Sequence, residues 1–337
     1  MRNRGLLVLF AVVTISILVT ITSAHIPIIP EDGTTLETAT EIIDPWKSWF
    51  YYSELNPGES HYYSFEATAG ERIRFMVNVP LFEGDRGFNP TFILMGPGIT
   101  NQSTPDTSIE LPSGAGVMVI EPTTLEPEFE GFTPLAQYMI VDVNMSAPET
   151  GTYYIAIYDG TVGGRYALVT GYVEAYSITG WILVPIDAMI ILQWSGQNLL
   201  LILLPMFIPL TLGLVFLVRK HRSVFSMKQL PSLLGTLGGL MFLGSSLSFF
   251  TEMIIALIYA PYNWTIIASV IFITIPLVLG LAALRITHKE NWDQKKSRLL
   301  LLIIIGLIAP FVWAGLFIGP FFVILAGIIP LIKRTPT

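Results

Sequence analysis

From Trp46 to Tyr176 apolar and polar residues tend to alternate over short runs, as in Tyr62-Tyr63-Ser64-Phe65, Arg72-Ile73-Arg74-Phe75 and Tyr153-Tyr154-Ile155-Ala156-Ile157. A period of two puts the apolar set on one face of an extended chain, which predicts half-buried strands. Turn signals recur at Asn56-Pro57-Gly58, Ala69-Gly70-Glu71, Gly96-Pro97-Gly98 and Gly163-Gly164, too often for crossover helices between parallel strands. The expectation is an all-β sandwich, jelly-roll-like, over residues 25–176.

At Leu199 the pattern changes to apolar runs long enough to cross a bilayer as helices, at about 199–218, 231–258, 264–284, 299–316 and 318–332. The last two share one 34-residue run, Leu299 to Ile332. As a single helix that run extends about 51 Å, against about 30 Å of hydrocarbon. Both of its flanks are basic, Lys295-Lys296-Ser297-Arg298 and Lys333-Arg334, so the chain is expected to turn back near Ala314 to Pro320. Five crossings are expected, with four as the alternative, in a helical transmembrane bundle over 199–334. Residues 177–198 are apolar but broken by Trp181, Asp187, Trp194 and polar groups, which predicts an interfacial helix or collar. Residues 1–24 carry Arg2 and Arg4, an apolar stretch from Leu6 to Ile21 and Thr22-Ser23-Ala24, the form of a signal peptide cleaved after Ala24. An uncleaved anchor is the alternative.

Charge divides where the pattern does. Between His25 and Asn198 stand 22 acidic and five basic residues, a net of −17, whereas the remainder from Leu199 has three acidic and eleven basic residues, a net of +8. Basic loops stay on the cytoplasmic side. Arg219-Lys220-His221-Arg222 and the loop from Arg285 to Arg298 agree on one orientation, in a plasma membrane with residues 25–198 outside. An acidic domain excludes nucleic acid as a partner. The absence of cysteine excludes disulfides and thiolate metal sites, and leaves the outer domain to be held by its core.

Four segments together carry a resemblance: His61-Tyr62-Tyr63-Ser64-Phe65, Ala69-Gly70-Glu71-Arg72-Ile73, Thr150-Gly151-Thr152-Tyr153-Tyr154-Ile155 and Gly164-Arg165-Tyr166-Ala167-Leu168. In order and character they resemble the pre-peptidase C-terminal (PPC) domain, a small jelly-roll-like sandwich. The resemblance covers about residues 48–173, with a middle, Val79 to Asn144, longer than that family's usual size. The family's usual attachment to a secreted protease is missing. The segment Ala-His-Ile-Pro from Ala24, followed by Asp44-Pro45-Trp46-Lys47-Ser48-Trp49, is similar to archaeal multi-pass surface proteins.

Candidate chemistry is sparse. Cleavage after Ala24 would leave His25 as an amino-terminal residue offering amine and imidazole together, and with His61 it forms a candidate copper site. The other reading is a mobile end and an exposed strand histidine. Glu121, Glu126, Glu128 and Glu130, with Glu83 and Asp85, are carboxylates of the kind calcium takes or, alternatively, a solvated acidic surface. The same carboxylates are the material of a glycosidase pair, whose separation spacing cannot fix. Glu252 is the one ionisable residue well inside an expected span. Counted from Pro231 it falls about 31 Å along the helix, where a carboxylate is cheap at the outer interface. Gly235, Gly238, Gly239 and Gly244 make a small-residue face for helix packing. Asn101 and Asn144 are candidate glycosylation sites, and Asn263 is a third sequon, too near the membrane to be a good acceptor. No Ser-His-Asp motif, phosphate loop, zinc signature or dinucleotide fingerprint is present.

These features point away from an enzyme and toward a surface recognition or scaffold protein that contacts membrane lipid and another envelope protein or glycan. Trp46, Trp49, Tyr51 and Tyr52 are its candidate contact residues, or in part its core. The alternatives are a subunit of a membrane transport complex and a copper-binding surface protein.

Overall fold

The computed structural model describes residues 26–30, 33–100, 104–123, 126–173, 178–220 and 229–333. The expected signal segment with its cleavage point, His25, Asn101 and His221 lie outside the described residues.

Strands β1 (Ile26–Ile28), β2 (Thr40–Glu41), β3 (Trp49–Leu55), β4 (Ser60–Ala67), β5 (Arg72–Pro80), β6 (Thr91–Gly96), β7 (Gly116–Ile120), β8 (Glu128–Glu130), β9 (Leu135–Ser146), β10 (Gly151–Tyr158) and β11 (Gly164–Thr170) form two sheets. One has the order β1-β3-β11-β5-β9-β8, the other β2-β4-β10-β6-β7. The chain changes sheet at every step except β6 to β7 and β8 to β9. Tyr51, Phe75 and Tyr166 of the first sheet meet Tyr63, Phe65, Phe92 and Tyr153 of the second in one core. The Phe65 ring lies 4.9 Å from that of Phe75 and 5.5 Å from that of Tyr153. Each such ring contributes about 2–3 kcal/mol by leaving water.

The first sheet is buried on one face and covered over part of the other. Its second face carries Phe50, Tyr52, Ala167 and Val169, which pack on Ile191 and Trp194 of helix α2 (Ile178–Trp194), the expected collar. Strand β11 accordingly reads Tyr166-Ala167-Leu168-Val169, continuous rather than alternating, and all four are fully buried.

The helical half contains α3 (Leu199–Lys220), α4 (Leu230–Tyr259), α5 (Ile266–Thr287), α6 (Lys296–Ile308) and α7 (Ile318–Ile332); a short α1 (Leu81–Asp85) belongs to the β half. Three of these, α3, α4 and α5, are long and apolar enough to cross a membrane. They expose Leu200, Phe207, Leu212, Val218, Ile258 and Ile267, side chains that lipid would cover. Helix α4 is the hub: Gly244 lies against the backbone of Met206 on α3, Gly239 against Gly280 on α5, and Gly238 against Val323 on α7. Side chains at these positions would hold the helices apart.

The long apolar run folds back on itself. Gly306 of α6 faces Ile324 of α7, and Gly327 of α7 faces Ile303 of α6, so the two helices are antiparallel. At 13 and 15 residues they extend about 20 and 22 Å, shorter than the hydrocarbon thickness. The turn between them is strained, with Trp313, Leu316 and Phe317 at φ 49°, 51° and 61°. The Trp313 indole donates to the Trp181 carbonyl at 2.8 Å, and the Gly315 N–H to Ser245 Oγ at 2.8 Å. Those two anchors hold the hairpin tip beneath the collar.

Candidate functional site at the seam between the two halves

The turn joining β8 to β9 enters the end of the bundle that faces the sandwich. Within it, the Glu130 carboxylate accepts from the N–H groups of Phe132 (2.8 Å) and Thr133 (2.7 Å), which fixes the turn's shape. Asn263 Nδ2 donates to the Phe129 carbonyl at 2.8 Å, and Ser269 Oγ to the Gly131 carbonyl at 2.5 Å. Phe132 then sits edge-on to the rings of Phe272 and Trp313, 5.4 Å from each. Gly131 is required by space, since an added Cβ would lie 2.8 Å from Thr265 Oγ1 and nearer still to the Thr265 carbonyl.

A second contact runs through Arg165 on β11. Its guanidinium donates to the carbonyls of Trp194 (2.9 Å) and Gln193 (3.3 Å), at the C-terminus of α2 where a cation is favoured. It also lies 3.5 Å from Glu83, a buried carboxylate that Arg86 approaches at 3.7 Å.

Between α2 and α3 the chain makes a corner at Ser195-Gly196-Gln197-Asn198. Gly196 has φ +96°, and a side chain there would press on the Phe82 ring. Asn198 Oδ1 caps the next helix by accepting from the Leu200 N–H at 2.9 Å. The corner aims Gln197 inward, and its Nε2 donates to Glu252 Oε2 at 2.8 Å.

Glu252 is 4% exposed rather than solvated at the interface, because the collar corner and the inserted turn cover the end of α4. It lies seven residues before the end of α4 at Tyr259, about 10 Å below that end. Its Oε1 has no hydrogen-bond partner among the described residues, and neither has the buried Ser248 Oγ one turn earlier. Both residues line a cavity of about 90 Å³ whose other walls are almost wholly apolar: Phe132 of the inserted turn, Val184, Ala188 and Leu192 of α2, Ile202 and Met206 of α3, and Trp313 of the hairpin tip. A second cavity, about 350 Å³, lies on the far side of Gln197, lined by Phe82, Asp85, Ser195 and Tyr259. Gln197 lines this second, more polar space and bonds the Glu252 carboxyl that lines the first.

The sequence-derived candidates are scattered. His61 lies in β4 with Nδ1 engaged by Ser53 Oγ (3.0 Å) and Tyr166 OH (2.9 Å), and Tyr166 OH is 2.8 Å from Tyr63 OH. Burial lowers the imidazole's pKa below its usual value, an effect Glu59 partly opposes. Nε2 is 3.9 Å from Glu59, and no group of three or more metal-ligating side chains occurs among the described residues. The acidic residues expected to cluster have separate roles: Glu121 accepts from Thr91 (3.4 Å), Asp85 from Tyr138 (3.0 Å), Glu130 caps its turn and Glu83 pairs with arginines. Glu126 and Glu128 are exposed. Asn144 is exposed on β9, where its Oδ1 accepts from Arg72 at 2.9 Å. Tyr51 and Tyr52 are core residues, while Trp46 and Trp49 are half-buried. Glu252 alone of these belongs to the cavity, joined there by Ser248 and Phe132 and bonded by Gln197, none of which any sequence pattern marked. The polar corner Ser195 to Asn198, set between two apolar helices, was the one available signal.

No protein-family model matches the chain, and no curated protein is similar to it.

Proposed function

We propose that the chain is a multi-pass surface protein of the plasma membrane that holds an acidic sandwich outside the cell, where it recognises or scaffolds another envelope protein or a glycan without catalysis of its own. The observation that carries this reading is the seat. The sandwich is fixed to the helices by the sheet patch of Phe50, Tyr52, Ala167 and Val169, by the β8–β9 turn and by Arg165, so its loops stand at a set height and angle above the lipid. A platform needs that rigidity; a tethered enzyme does not. Tyr172 and Val173 are exposed, and their N–H groups both bond the carbonyl of half-buried Trp46 at 2.9 Å, giving an apolar edge for a partner. The exported, jelly-roll-like and PPC-like character of the sandwich is part of the proposal. It is supported by where the four resembling segments fall: β4 pairs with β10 in one sheet, and β5 with β11 in the other.

A second reading, a subunit of a membrane transport complex, is favoured by the buried Glu252 carboxyl. Native mass spectrometry of the full chain, extracted in mild detergent from its own membrane, separates the two. A stoichiometric envelope protein or glycan lost on Tyr172→Ala supports the platform. A transporter subunit whose function fails with Glu252→Gln, the sandwich remaining folded, replaces it.

A further inference from the structure

We infer that the cavity at the seam is a binding site for a cationic amphiphile, an ammonium headgroup on an aliphatic chain, with Glu252 as the headgroup's counter-ion. This goes beyond the platform reading and does not depend on it. Three observations converge. The Glu252 carboxyl is more than nine-tenths buried and receives one donor, from Gln197 at 2.8 Å, while its Oε1 and the neighbouring Ser248 Oγ have no hydrogen-bond partner among the described residues. A buried carboxylate with one oxygen unsatisfied is costly, and a ligand that brings a cation and donors relieves that cost. No described Lys or Arg lies within ion-pairing distance of Glu252, so none of the described residues supplies a counter-charge and a cationic ligand can do so.

The remaining walls specify the rest of the ligand. Val184, Leu192, Ile202, Met206 and Phe132 offer only apolar surface, and α2 and α3 turn exposed apolar residues outward at Ile186, Leu200 and Leu204, where lipid is the natural solvent. At about 10–15 Å³ per water-sized sphere, 90 Å³ takes roughly six to nine non-hydrogen atoms, a headgroup and the first part of a chain. An anionic lipid headgroup is disfavoured by the carboxyl. A neutral alcohol satisfies Oε1 by hydrogen bonding but leaves the charge uncompensated, so it binds less well. The outer half's net charge of −17 also concentrates cations at this side of the membrane.

The test uses the full chain in lipid nanodiscs with dodecylammonium as the probe and dodecanol as its uncharged counterpart, read by thermal stabilisation and by native mass spectrometry. The expected result is one tightly held dodecylammonium, a rise in Tm that follows its concentration, and a preference over dodecanol of at least about tenfold. Glu252→Gln should remove that preference, and Leu203→Trp, at a residue of α3 that also lines the cavity, should abolish binding of both probes by filling it. Equal binding of amine and alcohol, unchanged amine binding in Glu252→Gln, or no stoichiometric binding at all overturns the proposal. If Glu252→Gln fails to fold, Leu203→Trp decides: retained one-to-one amine binding in that variant places the ligand elsewhere.

Discussion

Replacing Gly131 by alanine tests whether the sandwich is seated as described. The added Cβ would lie 2.8 Å from Thr265 Oγ1 and nearer to the Thr265 carbonyl, which is backbone and has no rotamer by which to give way. The turn must therefore back out of the bundle. Doing so breaks the bonds from Ser269 Oγ to the Gly131 carbonyl (2.5 Å) and from Asn263 to the Phe129 carbonyl (2.8 Å), and loosens Phe132 from Phe272 and Trp313. At about 1–2 kcal/mol for each buried bond lost, the seam weakens by about 2–4 kcal/mol. Hydrogen exchange measured on peptides covering 128–136 and 263–270 should accelerate by roughly 30- to 700-fold, at about 1.4 kcal/mol per factor of ten. Gly70→Ala is the control. Gly70 has φ +83° and nothing within 4 Å of the added Cβ, so it bears only the left-handed backbone cost of about 1–2 kcal/mol, confined to the sandwich. Seam exchange in Gly131→Ala within about threefold of the parent would falsify the seat, and with it the platform reading.

Three further outcomes follow from the same contacts. Because burial depresses the His61 pKa, the folded state favours the neutral ring; its contribution to stability is complete above the unfolded value of about 6.5 and is lost as pH falls through the lower folded value. Denaturation midpoints of the sandwich should therefore drop on acidification below about pH 6.5, with a shallower slope in His61→Gln. Arg165→Met strands the buried Glu83 carboxylate with only Arg86 nearby and frees the α2 carbonyls; since Arg165 is about a third exposed, the expected cost is about 2–3 kcal/mol, at or just below the usual range for breaking a buried pair. Adding Glu83→Gln should recover part of that loss in thermal unfolding. The chain has no cysteine, so Ser108→Cys and Lys289→Cys report sidedness directly. An impermeant maleimide applied to intact cells should label the first and spare the second, and the reverse result would invert the topology.

Much of the architecture was legible in the pattern of residues. A period of two with frequent turn signals marked a β-rich half, and unbroken apolar runs marked helices, because each follows from which faces of a local structure must avoid water. The length of the Leu299–Ile332 run, set against bilayer thickness, was enough to expect a fold back near Ala314 to Pro320, and the turn lies at Trp313 to Phe317. The glycines of α4 were legible as packing surface for the same local reason, since four small residues on one helix leave room that something must fill.

The seam was not legible. That the face carrying Phe50 and Tyr52 meets a collar helix, or that Gly131 and Phe132 enter the bundle, depends on pairings between residues more than a hundred positions apart. No local period encodes such pairings. Glu252 shows the division most directly: the sequence determined that one carboxyl would lie in an apolar helix near its C-terminal end, and an isolated helix would have left it to solvent. Only the tertiary structure decided that Gln197, Phe132 and the hairpin tip close over that end, because desolvation is a property of everything packed around a group and not of its position along the chain.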